Sequence, residues 1–136
     1  MKTEFRNILK ENGLKATKQR LLILEILHEN KQHPSSEVIF KELEKRGEHI
    51  ALSSVYNILD AFCERNIINK FYSSDEIMRF DINTDFHVHL CRGDSSEIED
   101  FCDEEICGHL QQYLTEHFSR YGEIKDIELK IHINKE

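Results

Sequence analysis

SSVYNILDAFCERNIINKFYSSDEIMRFDI, residues 53–82, decides how this chain folds. Its first half sets Val55, Ile58, Leu59 and Phe62 at the three- and four-residue spacing of a helix that buries one stripe. Its second half holds two short runs rich in strand formers, IINKFY and EIMRFDI, separated by the polar turn segment SSD, and predicts a hairpin. Upstream, Phe5, Ile8 and Leu9 mark a short amphipathic helix ending by Gly13, and Thr17 caps a second helix whose apolar residues run from Leu21 to Leu27. A third follows His33-Pro34, with Ser35 as N-cap, Val38, Ile39 and Leu43 as its buried stripe, and Gly47 as its stop. Three or four helices followed by a hairpin form a winged helix-turn-helix.

In that layout the helix opening at Ser53 enters the major groove of DNA, with Ser53, Ser54, Tyr56 and Asn57 outermost. Hydroxyls and an amide hydrogen-bond base edges or phosphates, and a tyrosine ring packs on a thymine methyl. The plainer alternative is a small helical domain with a polar face. A net charge of −8 argues against nucleic acid until its distribution is read. Residues 1–83 carry 13 Lys/Arg against 13 Asp/Glu, and residues 84–136 carry 5 against 13, so the acidic excess lies wholly in the last third. Within residues 1–20, Lys2, Arg6, Lys10, Lys15, Lys18 and Arg20 are opposed only by Glu4 and Glu11, a basic patch of the kind phosphates attract. The candidate DNA contacts are therefore Lys15, Thr17, Gln19 and Arg20 with the four polar residues of the fourth helix.

Beyond residue 84 the periodicity changes. Residues 87–91 and 97–101 read as strands, 103–119 as a helix, and 124–133 as a last strand in which Ile127, Leu129, Ile131 and Ile133 alternate. The expected class is α+β: a winged-helix DNA-binding domain with its hinge over residues 1–83, then a small α/β domain for dimerisation and metal sensing over 84–136. A unit of roughly 50 residues buries too little core to stand comfortably alone, so a second copy is expected to pack against it as a homodimer. No apolar run approaches the roughly 20 residues of a membrane span, and the opening MKTEFRNILKEN lacks the apolar stretch of an export signal, so a cytoplasmic protein with reduced cysteines is expected.

The segment RFDINTDFHVHL, residues 79–90, runs from the end of the wing into the second domain. On a strand His87 and His89 share one face, with Val88 and Leu90 on the other. Two neutral imidazoles aimed at one point, with carboxylates near, suit a divalent first-row metal; taken alone, the pair fits a solvated strand face equally well.

The order of winged helix, RFD, HVH and an acid eleven residues after the second histidine (His89 to Asp100) resembles the ferric uptake regulator superfamily of metal-dependent repressors. The similarity spans nearly the whole chain, including GLKATKQRLLILEIL, QHPSSEVIF, SSVYNILDAF and MRFDINTDFHVHL. It implies a regulatory metal bound by His33, Asp81, His87, His89 and Asp100, and a homodimer on an inverted-repeat operator in double-stranded DNA. A mixed nitrogen and oxygen set suits Fe2+ or Mn2+ better than a closed zinc site, although Zn2+ can bind in vitro. The ligand carboxylates are aspartates, and Asn57 follows the recognition-helix tyrosine. Both features resemble the peroxide-responsive branch, in which bound ferrous iron and hydrogen peroxide oxidise a ligand histidine and the repressor leaves DNA; by position, the oxidation-sensitive residues are His33 and His87.

The chain also departs from the family. Many members hold a structural zinc between two CxxC pairs, but here CRGDSSE places Arg92 and Ser95 at cysteine positions and the last residues, IHINKE, hold no cysteine, so a cysteine-bound zinc is not expected. Val88 and Cys107 fall where an accessory site would need acids. Cys102 and Cys107 stand about 140° apart on a helix and do not form a ready pair. His28, His49, His109, His117 and His132 read as surface or supporting residues, and Asp94, Glu97, Glu99, Asp103, Glu104 and Glu105 as a solvated acidic surface; Asp85 is an alternative ligand, but strand parity and the family pattern both favour Asp81. Three alternatives stay open: an iron-responsive repressor of metal uptake genes, a mononuclear metalloenzyme on the same ligands, and a winged-helix repressor that needs no metal. No nucleophile or general base favours the enzyme.

Overall fold

The computed structural model describes residues 2–93, 98–101 and 103–134. The chain divides into two compact units, Met1–Thr84 and Asp85–Glu136.

The first unit runs α1 (Lys2–Glu11), α2 (Lys18–Glu29), α3 (Ser36–Lys45), α4 (Leu52–Glu64), β1 (Asn69–Tyr72) and β2 (Met78–Asp81). Its helix ends follow local chemistry. The Thr17 hydroxyl accepts from the Arg20 N–H and the Ser35 hydroxyl from the Val38 N–H, each satisfying an amide that the first helical turn leaves open. Gly13 and Gly47, with φ +74° and +80°, turn the chain out of α1 and α3, a left-handed conformation that a Cβ would penalise. The fourth helix begins one residue before Ser53, behind Ala51, which has no side-chain acceptor to offer. Ser53 and Ser54 therefore lie in its first turn, exposed.

Phe5 and Leu9 of α1, Ile23, Leu24, Ile26 and Leu27 of α2, Ile39 and Leu43 of α3, and Val55, Leu59 and Phe62 of α4 form one core with Ile67, Ile68 and Phe80. Val38 is a correction to the expected stripe: it is 46% exposed and lines a polar surface hollow with Glu42 and Arg46, while Phe40 packs from the other side of α3. Truncating a fully enclosed ring leaves a cavity, so Phe62→Ala is expected to cost about 3–5 kcal/mol, measured by urea unfolding.

The hairpin is antiparallel, pairing Asn69 with Asp81 and Phe71 with Arg79. It closes through the Ser73 N–H donating to the Ile77 carbonyl, 3.0 Å. Phe71 and Phe80 are buried, whereas Lys70 and Tyr72 face outward.

The second unit runs β3 (Val88–Arg92), β4 (Ile98–Phe101), α5 (Glu104–Phe118), one 3-10 turn (Ser119–Tyr121) and β5 (Leu129–Ile133). The sheet order is β4-β3-β5, with β4 antiparallel and β5 parallel to the central strand. A parallel neighbour requires a crossover, which α5 supplies. The last strand is shorter than expected: β3 has five residues and pairs with five, from Val88↔Leu129 to Arg92↔Ile133, so Ile124 and Ile127 precede the ladder. His87, Val88 and His89 are all buried, so the expected split into an imidazole face and an apolar face does not sort inside from outside. Ile106, Tyr113, Phe118, Tyr121, Ile131 and Ile133 are exposed in the single chain. Among the described residues, no helix is long and apolar enough to cross a membrane.

Candidate metal centre and recognition face

In the first unit, His33 occupies the loop between α2 and α3, and Asp81 ends β2. Both are buried, with His33 Nδ1 3.6 Å from Asp81 Oδ1. His33 has φ +58°, a conformation that non-glycine residues rarely adopt. The ring of Phe71 stands edge-on to the imidazole, 5.6 Å between centroids. The Asp81 carboxylate also accepts from the Asn83 N–H at 2.9 Å, which holds one oxygen in place.

In the second unit, the antiparallel register sets His89 directly opposite Asp100, and His87 precedes Val88 at the start of β3. His87 Nε2 lies 3.0 Å from His89 Nε2, and Asp100 Oδ1 lies 3.8 Å and 3.5 Å from the two. His87 Nδ1–H donates to the backbone carbonyl of Asp85, 2.7 Å. A proton fixed on Nδ1 leaves the Nε2 lone pair directed at the cluster, the arrangement that metal-binding histidines adopt. Asp85 thus takes part through its backbone carbonyl. Two buried imidazoles and a carboxylate with an oriented tautomer are a donor set that fits a divalent metal ion.

The other histidines, His28, His49, His109, His117 and His132, are exposed. Cys63 is half-buried, and burial pushes its thiol up to about 11. Cys91 and Cys107 are buried free thiols. Arg92, at an expected cysteine position, instead pairs with Glu99 across the strands at 2.7 Å. Cys102, Asp94, Ser95 and Glu97 lie outside the described residues.

On the first unit, Ser53, Ser54, Tyr56 and Asn57 are all exposed on α4. The Tyr56 hydroxyl donates to Glu37 Oε1 of α3 at 2.7 Å, which, more than any other interaction, holds the Glu37 carboxyl below its ordinary range. Nothing in the sequence singles out Glu37; it lies nineteen residues from Tyr56, and only the packing of α3 against α4 joins them. Lys15 and Thr17 are exposed, whereas Gln19 and Arg20 are half-buried. The Arg20 guanidinium donates to the Lys15 carbonyl at 2.9 Å, folding the α1–α2 linker back on the helix. Thr17 is occupied as a cap, though a hydroxyl that accepts there keeps a proton to donate.

A winged helix followed by a small sheet-and-helix unit, with histidine and aspartate donors gathered in each, defines a metal-responsive transcription regulator rather than an enzyme. Residues 11–132 match the ferric uptake regulator family, and the chain belongs to it. It is 35% identical over 128 residues to the ferric uptake regulation protein of Vibrio anguillarum, spanning 87% of this chain and 86% of that protein. Over 93 residues it is 36% identical to the peroxide operon regulator of Bacillus subtilis, spanning 68% of this chain and 64% of that one. The ferric uptake regulator of Pseudomonas aeruginosa, solved with manganese, superposes with a TM-score of 0.79 at 28% identity, covering 97% of this chain and 98% of that one.

Proposed function

We propose that this regulator is a repressor that binds an inverted-repeat operator as a homodimer when loaded with Fe2+ or Mn2+, and that peroxide releases it through oxidation of a ligand histidine. His33, Asp81, His87, His89 and Asp100 would hold the metal. The observation that carries the reading is the His87–His89–Asp100 cluster with the His87 tautomer set by the Asp85 carbonyl. The first unit adds a further imidazole–carboxylate pair, His33 with Asp81, both buried. Binding of the metal by these residues would be the switch. Bound ferrous iron would activate hydrogen peroxide, and the two electrons that reduce the peroxide would come, net, from the imidazole. The chain itself supplies the imidazole carbon that is oxidised and the recognition helix that reads DNA.

The aspartate ligands and Asn57 support the peroxide branch. Similarity to the Vibrio anguillarum ferric uptake regulation protein supports a second reading, an iron-responsive repressor of metal uptake genes. Operator retention after peroxide separates the two. On the first reading the iron-loaded protein lets go and the manganese-loaded protein stays bound. Retention of DNA by the iron form selects the second.

The exposed apolar residues of α5 and β5 support dimer formation, and a two-fold dimer presents two recognition helices to two half-sites. Phosphate neutralisation makes affinity fall with salt, and Lys15→Ala is expected to flatten the slope of log affinity against log salt by about 0.9 for each phosphate no longer neutralised. An unchanged slope in a salt titration would remove Lys15 from the interface.

A further inference from the structure

The loop that carries His33 is pinned by a side chain that neither the metal chemistry nor DNA recognition uses. Arg79 lies two residues before Asp81 on β2 and is 9% exposed. One of its nitrogens, Nη1, donates to the carbonyl of Gln32 at 3.0 Å and to that of His33 at 3.3 Å. Nε donates to the Ser73 hydroxyl at 2.9 Å, and Nη2 reaches the Asp75 carboxylate at 3.4 Å. The neighbouring Phe80 N–H donates to the Pro34 carbonyl at 3.2 Å. The carbonyls of residues 32, 33 and 34 are thus all held by two consecutive residues of one strand.

A guanidinium taken out of water must be fully hydrogen-bonded to be tolerated, and here these bonds go to the loop and to the hairpin turn. His33 adopts φ +58° immediately before a proline, where the chain favours extended backbone. Such conformations persist where the surroundings over-determine them. With both carbonyls flanking the His33 α-carbon tied toward Arg79, the strained backbone is held, and the imidazole stands 3.6 Å from Asp81.

We infer that Arg79 is a positioning residue for the metal ligand His33: its guanidinium fixes the strained loop backbone so that the imidazole faces the carboxylate carried by the same strand. This rests on the reading of His33 and Asp81 as ligands. Lysine cannot replace it, because a single ammonium lacks the planar fork that reaches two carbonyls, a hydroxyl and a carboxylate at once.

The test compares Arg79→Lys, His33→Ala and the double variant in the full-length protein. It reads Mn2+ affinity by electron paramagnetic resonance and the visible absorption of Co2+ bound in place of Mn2+. Arg79→Lys is expected to weaken Mn2+ binding roughly 10–100-fold, as removal of outer supports of a ligand does, and to move the cobalt spectrum toward that of His33→Ala. In the His33→Ala background the same change is expected to weaken binding less than about twofold further, because the ligand it positions is gone. A general structural role would instead give equal effects in both backgrounds and leave the cobalt spectrum of the wild type, and that result overturns the inference. If His33→Ala alters neither affinity nor spectrum, the ligand assignment fails and the inference falls with it. If His33→Ala alters both while Arg79→Lys behaves as wild type, only the positioning role falls. Should Arg79→Lys not fold, Ser73→Ala removes one anchor of the guanidinium; a cobalt spectrum shifted toward His33→Ala supports the role, and an unchanged one overturns it.

Discussion

Asp100→Ala is expected to abolish metal-stimulated operator binding while leaving the fold intact. Asp100 is exposed at the surface of β4, so its truncation opens no cavity, and it belongs to the second unit, whereas Ser53, Ser54, Tyr56 and Asn57 of α4, the proposed DNA contacts, belong to the first. His89→Ala removes the imidazole opposite it in the ladder. Changes to outer supports of a metal ligand already cost roughly 10–100-fold in affinity, so removal of a ligand itself is expected to cost more than about 100-fold. A metal can shift the protein toward its DNA-binding form only by binding that form more tightly, and a site missing a donor loses that difference. His89 is buried, so its variant also calls for a check of thermal unfolding; the aspartate variant is the cleaner comparison. The measurement is operator affinity with and without added Mn2+. An Asp100→Ala protein whose affinity still rises with Mn2+ as in the wild type would show that the cluster is not the regulatory site.

Peroxide treatment of the iron-loaded protein is expected to add the mass of one oxygen atom to a peptide containing His33 or His87, with loss of operator binding. The balance is simple: hydrogen peroxide gives one oxygen to the imidazole ring and leaves as water. Proximity decides which side chain is modified, since a short-lived oxidant reacts with what lies beside it. His87 is favoured by its Nδ1–H bond to the Asp85 carbonyl, which keeps the ring turned toward the cluster. Cys63 is a poorer target at neutral pH, because a thiol reacts as its thiolate and burial holds this one protonated up to about 11. The manganese-loaded protein is expected to stay unmodified and bound. Oxidation confined to Met78 or the cysteines, with DNA retained, would leave the iron-responsive reading standing.

Much of the first unit is legible because its signals are local. A hydroxyl at Thr17 or Ser35 caps the helix that follows it, and Gly13 or Gly47 ends the one before, whatever the rest of the chain does. The spacing of Val55, Leu59 and Phe62 encodes a buried helix face, and the HVH triplet sends two imidazoles the same way because side chains alternate along a strand. Motif order makes the family legible too, and with it the histidine and aspartate candidates.

What depends on tertiary structure are the features made by residues far apart in the chain. Val38 fits the α3 stripe by spacing, yet the way α3 lies against α2 leaves it at the surface. Alternation from Ile127 to Ile133 predicts a longer strand than β3, with five residues, can pair. The bond between Tyr56 and Glu37 exists because two helices pack together. Arg79 reaches the His33 carbonyl across forty-six residues of sequence, and nothing in the local pattern of MRFD says which loop its guanidinium will meet. Caps, turns and periodicity act over a few residues and can be read along the chain, whereas a buried charge finds its partners only once folding has brought distant backbone within hydrogen-bond reach.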